Sequence, residues 1–364
     1  MAGSNNKSVN DELMTAQNIA LLNLLFWHQL FLEGVRTNLA KNFDGVLRQL
    51  YAEFKRYLSM VRYQTLDSFT KAEMNDFIRR FKLAQMRIYS VYTAQLIKLL
   101  QQFVDTDVQA NRLILEAVTG KTFEEADAER EHTTLKGVAG LTPGSTDSLW
   151  ASILTDPIPA NGMTIEQMLQ SFVNTSTNKV AQYVRMAYAN GWTKDELITQ
   201  VFGSSENNWR DGYFGQLSRQ NNTMVGTAVQ HSSSIAQGAV TSTFLATYVW
   251  VSVIDGHTTE ICYSRNGKVY TFGEGPIPPA HYGCRSKVVG KIPNAGDIAI
   301  PATFAGWLAT QPTSLVDTML GSAFASSLRS GSQRNVTLAT TAQTLTIAQF
   351  LAKIKQLLGA YQWR

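Results

Sequence analysis

The sequence predicts a mainly α protein with a long N-terminal helical arm and a small α+β C-terminal domain. Three observations carry this expectation. Apolar residues recur at helical spacing through the first 120 residues. A helical pattern returns over residues 164–243. Only then does an apolar, β-branched run appear, at residues 248–254, with the length and composition of a strand. The implied division is a long-helix interaction arm over 1–120, a connector over 121–160, a second unit over 161–295 and a tail segment over 296–364.

In the arm, Leu21, Leu24, Leu25, His28, Leu32, Val35 and Leu39 recur at the spacing of one helix face, as a helix with a core-facing stripe requires. Residues 20–32 come nearest to a membrane span. They fall short of the roughly 20 apolar residues a bilayer crossing needs and are interrupted by Asn23, His28 and Gln29, so they read as a buried or partner-facing helix. A second helix begins after Asp67 and Ser68, where Thr70 and Glu73 have capping-box spacing: each side chain can satisfy a backbone N–H at the helix start. It runs on through Phe77, Phe81, Ile88, Tyr92, Leu96 and Leu99 with no Gly or Pro to stop it. The connector carries Gly120, Gly137, Gly140, Pro143, Gly144, Pro157 and Pro159, with a short helix expected near 147–154. Beyond it, Thr164 with Gln167 and Thr193 with Glu196 repeat the capping pattern, and Gly191 and Trp192 mark the turn between two helices. A polar helix over 217–243 holds small residues, Ala228, Ser232, Ala236 and Ala239 among them, that let neighbours approach closely.

The chain of 364 residues has room for two or three domains. A hydrophobic share of 44% places it among folded proteins, and a charged share of 16% leaves a surface dominated by neutral polar groups, which suits a protein packed against partners. The net charge of +4 is too mild to indicate nucleic-acid binding by itself. Lys and Arg do outnumber Asp and Glu between residues 33 and 100, with Arg36, Arg48, Arg56, Arg79 and Arg80 among them. That stripe is either a contact for an anionic partner or a solvated face with i,i+4 ion pairs. Two cysteines exclude a disulfide scaffold. The first ten residues are polar and lack the apolar core of a secretory signal, so synthesis in a cytoplasm and no membrane insertion are expected.

The chemistry concentrates in one segment. It reads Asp255-Gly-His-Thr-Thr-Glu-Ile-Cys262, then Asn266-Gly-Lys-Val-Tyr270, then Pro278-Pro-Ala-His-Tyr-Gly-Cys-Arg285. A strand ends at Ile254 and delivers Asp255 into a turn. Asn266 and Gly267 are a hairpin signal. Pro278 and Pro279 stiffen the return toward Cys262. Asp255, His257, Cys262, His281 and Cys284 therefore converge within about thirty residues. Several chemistries fit this set. Cys262, His281 and Cys284 with Asp255 or His257 offer the N and S donors of a tetrahedral zinc site, although the spacing is unlike that of common zinc modules. A metal-free loop would use Asp255 and Arg285 as hydrogen-bonding groups and the cysteines as small buried apolar ones. A Cys262–Cys284 disulfide is a third arrangement, disfavoured in a cytoplasm. A thiol hydrolase with His281 as base is a fourth. It lacks an oxyanion loop and any helix N-terminus signal to activate the thiol, so no enzyme is expected.

The pattern of Trp250, Asp255, Thr258, Cys262, Gly267, Pro278, Pro279, His281, Cys284 and Arg285 resembles the head morphogenesis domain of Mu F-type minor head proteins of tailed bacteriophages. His257 stands where that family more often has Arg. The tail adds Thr303, Phe304, Trp307, Leu308, Gln311 and Pro312, then Leu320-Gly321, Gly331, Leu345 and Phe350, similar to the tail of many phage members. The Arg that usually follows the Leu-Gly pair is replaced by Phe324 or Ala325. The motif match spans about residues 245–350, and the first 120 residues match no pattern. The resemblance implies a structural minor capsid protein in the virion, made in the host cytoplasm. It would act in head assembly at the portal protein or the inner face of the major capsid protein, in several copies, with packaged DNA lying against the basic arm. The alternative is an internal DNA-binding protein that protects the genome or is ejected with it.

Overall fold

A computed structural model describes residues 3–129, 147–207, 209–332 and 336–360, with backbone alone for 3–11 and 340. The chain is mainly helical. It opens with α1 (Gly3–Lys41), α2 (Phe43–Ser59) and α3 (Lys71–Thr119), followed by the short α4 (Phe123–Glu129) and α5 (Asp147–Thr155). Then come α6 (Ile165–Asn190), α7 (Lys194–Phe202) and α8 (Tyr213–Phe244). The C-terminal part holds β1 (Thr247–Val251), α9 (Glu260–Arg265), β2 (Val269–Thr271) and β3 (Lys287–Gly290), and ends with α10 (Phe304–Thr310), α11 (Thr313–Leu320), α12 (Ser322–Arg329), α13 (Leu338–Thr341) and α14 (Ile347–Ala360). The mainly α class with a small C-terminal sheet is as the sequence predicts. Among the described residues no helix is long and apolar enough to cross a membrane.

The helix starts follow local chemistry. The Thr70 amide donates to the Glu73 carboxylate at 2.8 Å and the Glu73 amide donates to Thr70 Oγ1 at 3.2 Å, closing the predicted box ahead of α3. Thr193 and Glu196 do the same for α7. Gly191 takes φ 66° between α6 and α7, a conformation that favours glycine. Of the connector, Gly137, Gly140, Pro143 and Gly144 lie outside the described residues.

The chain divides into two compact units whose limits differ from those read in the sequence. One comprises residues 1–38, 100–164 and 226–364; the other comprises 39–99 and 165–225. The long helices α1, α3 and α8 each contribute one part to each unit. Periodicity marks where a helix runs but not which neighbours its successive turns find.

In the first unit, α1 is a core element. Leu24, Trp27, Leu30, Phe31 and Leu32 are all buried. A helix apolar on most of its circumference belongs inside, which decides between the buried and the partner-facing readings of residues 20–32 in favour of the buried one. The tail supplies the covering. Trp307 stacks on Phe26 at 4.8 Å and meets Trp27 edge-on at 5.2 Å, while Phe350 packs on Phe31 and Phe103. Each such ring removed from water contributes on the order of 1.5–3 kcal/mol. Gly34 is required where the tail crosses, since a Cβ there would meet the Gln343 carbonyl oxygen.

The sheet of this unit has the order β2-β1-β3, antiparallel throughout, with Tyr248 opposite Tyr270 and Val249 opposite Val289. Asn266 and Gly267 do not form the expected two-residue hairpin. They join α9 to β2, with Gly267 at φ 83° and the Asn266 side chain accepting from the Ser252 amide at 2.8 Å. The dipeptide encodes a left-handed turn, and the inserted helix decides what it connects.

The second unit is held by aromatic rings. Phe54 meets Phe81 at 4.8 Å and Phe202 at 5.2 Å, and Phe43 meets Tyr92 at 5.2 Å and Phe172 at 5.7 Å. Several cations of the basic stripe already have partners within their own helix: Arg56 with Glu53, and Arg79 and Arg80 with Asp76. In the first unit Arg36 pairs with Glu33.

Candidate functional site

The segment following β1 folds back on itself, and two braces hold it. The first is ionic. Asp255 and Arg285 meet fork to fork, with Nη1 to Oδ2 at 2.5 Å and Nη2 to Oδ1 at 2.6 Å. The His257 amide adds a third bond to Asp255 at 2.9 Å. Burial alone would raise the Asp255 carboxyl, but the bonds and charge of Arg285 outweigh it and hold the group below the usual carboxylate range. Thr258 locks the turn: its hydroxyl accepts from the Asp255 amide at 2.9 Å and donates to the Val253 carbonyl at 2.7 Å.

The second brace is the cysteine cluster. Cys262 lies in the first turn of α9, and Cys284 follows the buried Pro278 and Pro279, which are joined by a cis peptide bond. The Cys262 sulfur stands 3.6 Å from that of Cys284 and 3.2 Å from His281 Nε2. The thiols are unbonded, at nearly twice the length of an S–S bond of about 2.05 Å. Both pack on the fully buried Trp250. The Trp250 indole N–H donates to Ser252 at 3.0 Å, and the Ser252 hydroxyl donates to the Cys262 carbonyl at 2.7 Å. The guanidinium of Arg265 covers the Trp250 ring at 5.0 Å.

This geometry sorts the five predicted ligands. Cys262, His281 and Cys284 present one ligand atom each within 4.8 Å of one another and could hold a metal ion. Asp255 is removed from that set because both its oxygens are engaged by Arg285. His257 is exposed and lies at the edge of a small void of about 10 Å³ beside Cys262 and His281. The thiols share their protons: Cys284 is pushed down because Cys262, His281 and backbone amides all stabilise its thiolate, and Cys262 is pushed up by the same neighbour. His281 is raised, first by its bond to Cys284. Contrary to expectation, a helix N-terminus is present at Cys262, although α9 is only six residues long.

Sequence reasoning missed the supporting residues Ser252, Ser286, Arg265 and Asn266. It also missed a second constellation in the same unit. Lys287, three residues after Cys284, is fully buried. Its ammonium donates to His28 Nδ1 at 2.9 Å and to Ser233 Oγ at 2.8 Å, and His28 Nε2 reaches Asp107 Oδ1 at 2.5 Å. A neutral His28, donating through Nε2–H, satisfies both neighbours at once. Burial pushes Lys287 down to about 7, with Asp107 opposing. Burial and then the Lys287 charge lower His28. A charged residue inside the otherwise apolar buried strand β3 was the available signal.

Comparison of the chain with known protein families, with curated proteins and with solved structures finds no match in any of the three.

Proposed function

We propose that the chain is a structural minor head protein of a tailed bacteriophage, acting in head assembly at the portal or inner capsid surface, and that its C-terminal loop is closed by a zinc ion. The observation that carries the reading is the meeting of Asp255 with Arg285 and of Cys262 with His281 and Cys284 in one doubly braced loop, so that the spaced motif residues serve one local structure. Every partner of the motif is another part of the fold.

Zinc fits the donor set. Ideal tetrahedral coordination with Zn–S about 2.3 Å and Zn–N about 2.0 Å places sulfurs about 3.8 Å apart and sulfur about 3.5 Å from nitrogen; the separations here are 3.6 Å and 3.2 Å. His281 Nδ1 lies 2.9 Å from the Tyr282 carbonyl, so Nδ1–H donates there and Nε2 keeps its lone pair for a metal. Cys262, His281 and Cys284 would hold the ion, and a fourth ligand would come from the void beside them, either water or the His257 imidazole. The ion supplies a cross-link stable in a reducing cytoplasm, where a disulfide is not.

Purified full-length chain should carry close to one zinc by elemental analysis, and Cys284→Ser should lose it. Fewer than half an ion per chain would end the zinc assignment. The head assignment is tested separately, by quantitative mass spectrometry of the phage particles that encode the chain. Several copies per head are expected, and absence from the particle would refute it.

A further inference from the structure

The second unit contains a cleft that the head-protein reading does not use. It lies between α2, the end of α7, the loop 203–212 and the start of α8, and its volume is about 700 Å³, the size of a ligand pocket rather than a packing defect. Its floor is aromatic. Phe202 meets Phe214 at 4.1 Å and Tyr51 at 5.0 Å, and Tyr51 meets Trp209 at 5.7 Å. Its rim is cationic: Arg48, Arg210 and Arg219 line it against the single carboxylate of Asp44. Unlike Arg56, Arg79 and Arg80 in the same unit, none of these three has an ion-pair partner among the described residues.

The described residues of the loop that completes the cleft, 203–207 and 209–212, are tied to one another. Asp211 accepts from the Ser204 amide at 2.7 Å, the Ser204 hydroxyl at 2.6 Å and Asn207 at 2.9 Å. Gly203 and Gly212 pass so closely that a Cβ on Gly212 would lie 2.1 Å from the Gly203 nitrogen. At its tip Trp209 adopts φ 60° and stays 47% exposed. A bulky residue in the left-handed region is strained. Here that backbone turns the largest apolar side chain of the loop toward the cleft rather than into the core.

We propose that this cleft binds single-stranded nucleic acid, with an unpaired base stacked on Trp209 and met edgewise by Tyr51, and neighbouring phosphates held by Arg48, Arg210 and Arg219. An exposed indole face, with Tyr51 set at 59° beside it, next to unpaired guanidinium groups is complementary to a base with its phosphates. A duplex keeps its bases paired and stacked on one another and so offers no free base face to the ring. A mononucleoside monophosphate brings one anionic group to three arginines, whereas a strand brings several in succession.

The test titrates a fluorescein-labelled 12-nucleotide oligothymidylate with the full chain and reads fluorescence anisotropy. Binding should weaken as salt rises. Trp209→Ala should weaken it by roughly 5- to 150-fold, the range for loss of one base–aromatic stack, and Trp209→Phe should keep most of it. Arg48→Gln, an exposed change on α2 that leaves the loop untouched, should weaken binding and flatten the salt dependence by about 0.7 in log–log slope, with an unchanged thermal melt. The proposal is overturned if Trp209→Ala and Arg48→Gln, both folded, bind as the parent does. It is equally overturned if a 12-base-pair duplex competes as well as the single strand, or if a glutamate-rich peptide displaces the strand at lower concentration than unlabelled strand.

Discussion

Cys284 and Lys287 are three residues apart, yet they belong to constellations of opposite kind. Cys284 joins Cys262 and His281, all drawn from within 23 residues of chain, with both cysteines buried, His281 half-buried and a water-sized void beside them. Lys287 joins His28, Asp107 and Ser233 from three distant helices, wholly buried. The first can exchange protons or ligands with solvent at little structural cost. The second cannot change charge without disturbing four elements. Chemically versatile residues therefore serve two purposes here: a local clasp that a ligand could close, and a polar lock that fixes how α1, α3, α8 and β3 sit together within their unit.

The largest expected effect attacks the lock. Lys287→Met removes the buried amine that donates to His28 and Ser233, and below pH about 7 also the cation nearest Asp107, and should cost about 3–5 kcal/mol in urea unfolding. Combining it with Asp107→Leu should cost less than the two single changes summed, because the orphaned charge is gone. Strict additivity would show that the pair is not coupled. The pH dependence has a definite sign. Lys287 lies near 7 in the folded chain and at 10.5 unfolded, so the unfolded state holds the extra proton between these values. The stability contributed by this site rises with pH from about 7 to about 10.5 and is lowest below 7. The gap between parent and Lys287→Met should widen between pH 7 and pH 9, and a constant gap contradicts the assignment.

A smaller effect is expected at the clasp. Asp255→Asn removes the charge that Arg285 grips and should cost about 1.5–3 kcal/mol, the range for hydrogen bonds to charged groups. Because the folded carboxyl is depressed from 3.8, the parent's advantage is present above pH about 4 and fades as pH falls further. If the loss at the clasp equals that at Lys287, the distinction between lock and clasp fails. The smallest effect is the control. Thr193→Ala removes one half of a capping box at the surface of the other unit and should cost about 1 kcal/mol, with no change in zinc content.

How much was legible in advance follows the same division. The capping boxes at Thr70 and Thr193, the turn at Gly191, the helix at 147–155 and the strand after residue 246 were readable because each depends on residues one helical turn apart or on alternation within one strand. Of the five predicted ligands, Cys262, His281 and Cys284 converge, since a short strand–loop–strand segment has few ways to fold. Asp255 stayed open between a ligand and a hydrogen-bonding role, because residue type does not say which attraction wins; in the fold Arg285 engages both its oxygens. Residues 20–32 stayed open between a buried and a partner-facing reading because nothing near them indicates that Trp307 and Phe350 will cover them.

The sequence by itself determined the long helices up to residue 244, the caps at Thr70 and Thr193, the strand that follows and the concentration of chemistry between residues 255 and 285. These are set by short-range sterics, hydrogen bonding and periodicity. The tertiary structure alone decided that the long helices are divided between two units, that His28, Asp107 and Lys287 meet, and that Arg48 and Trp209 face a common cleft. Such contacts depend on closing loops of up to hundreds of residues, and their energy appears only when the whole apolar surface is buried together.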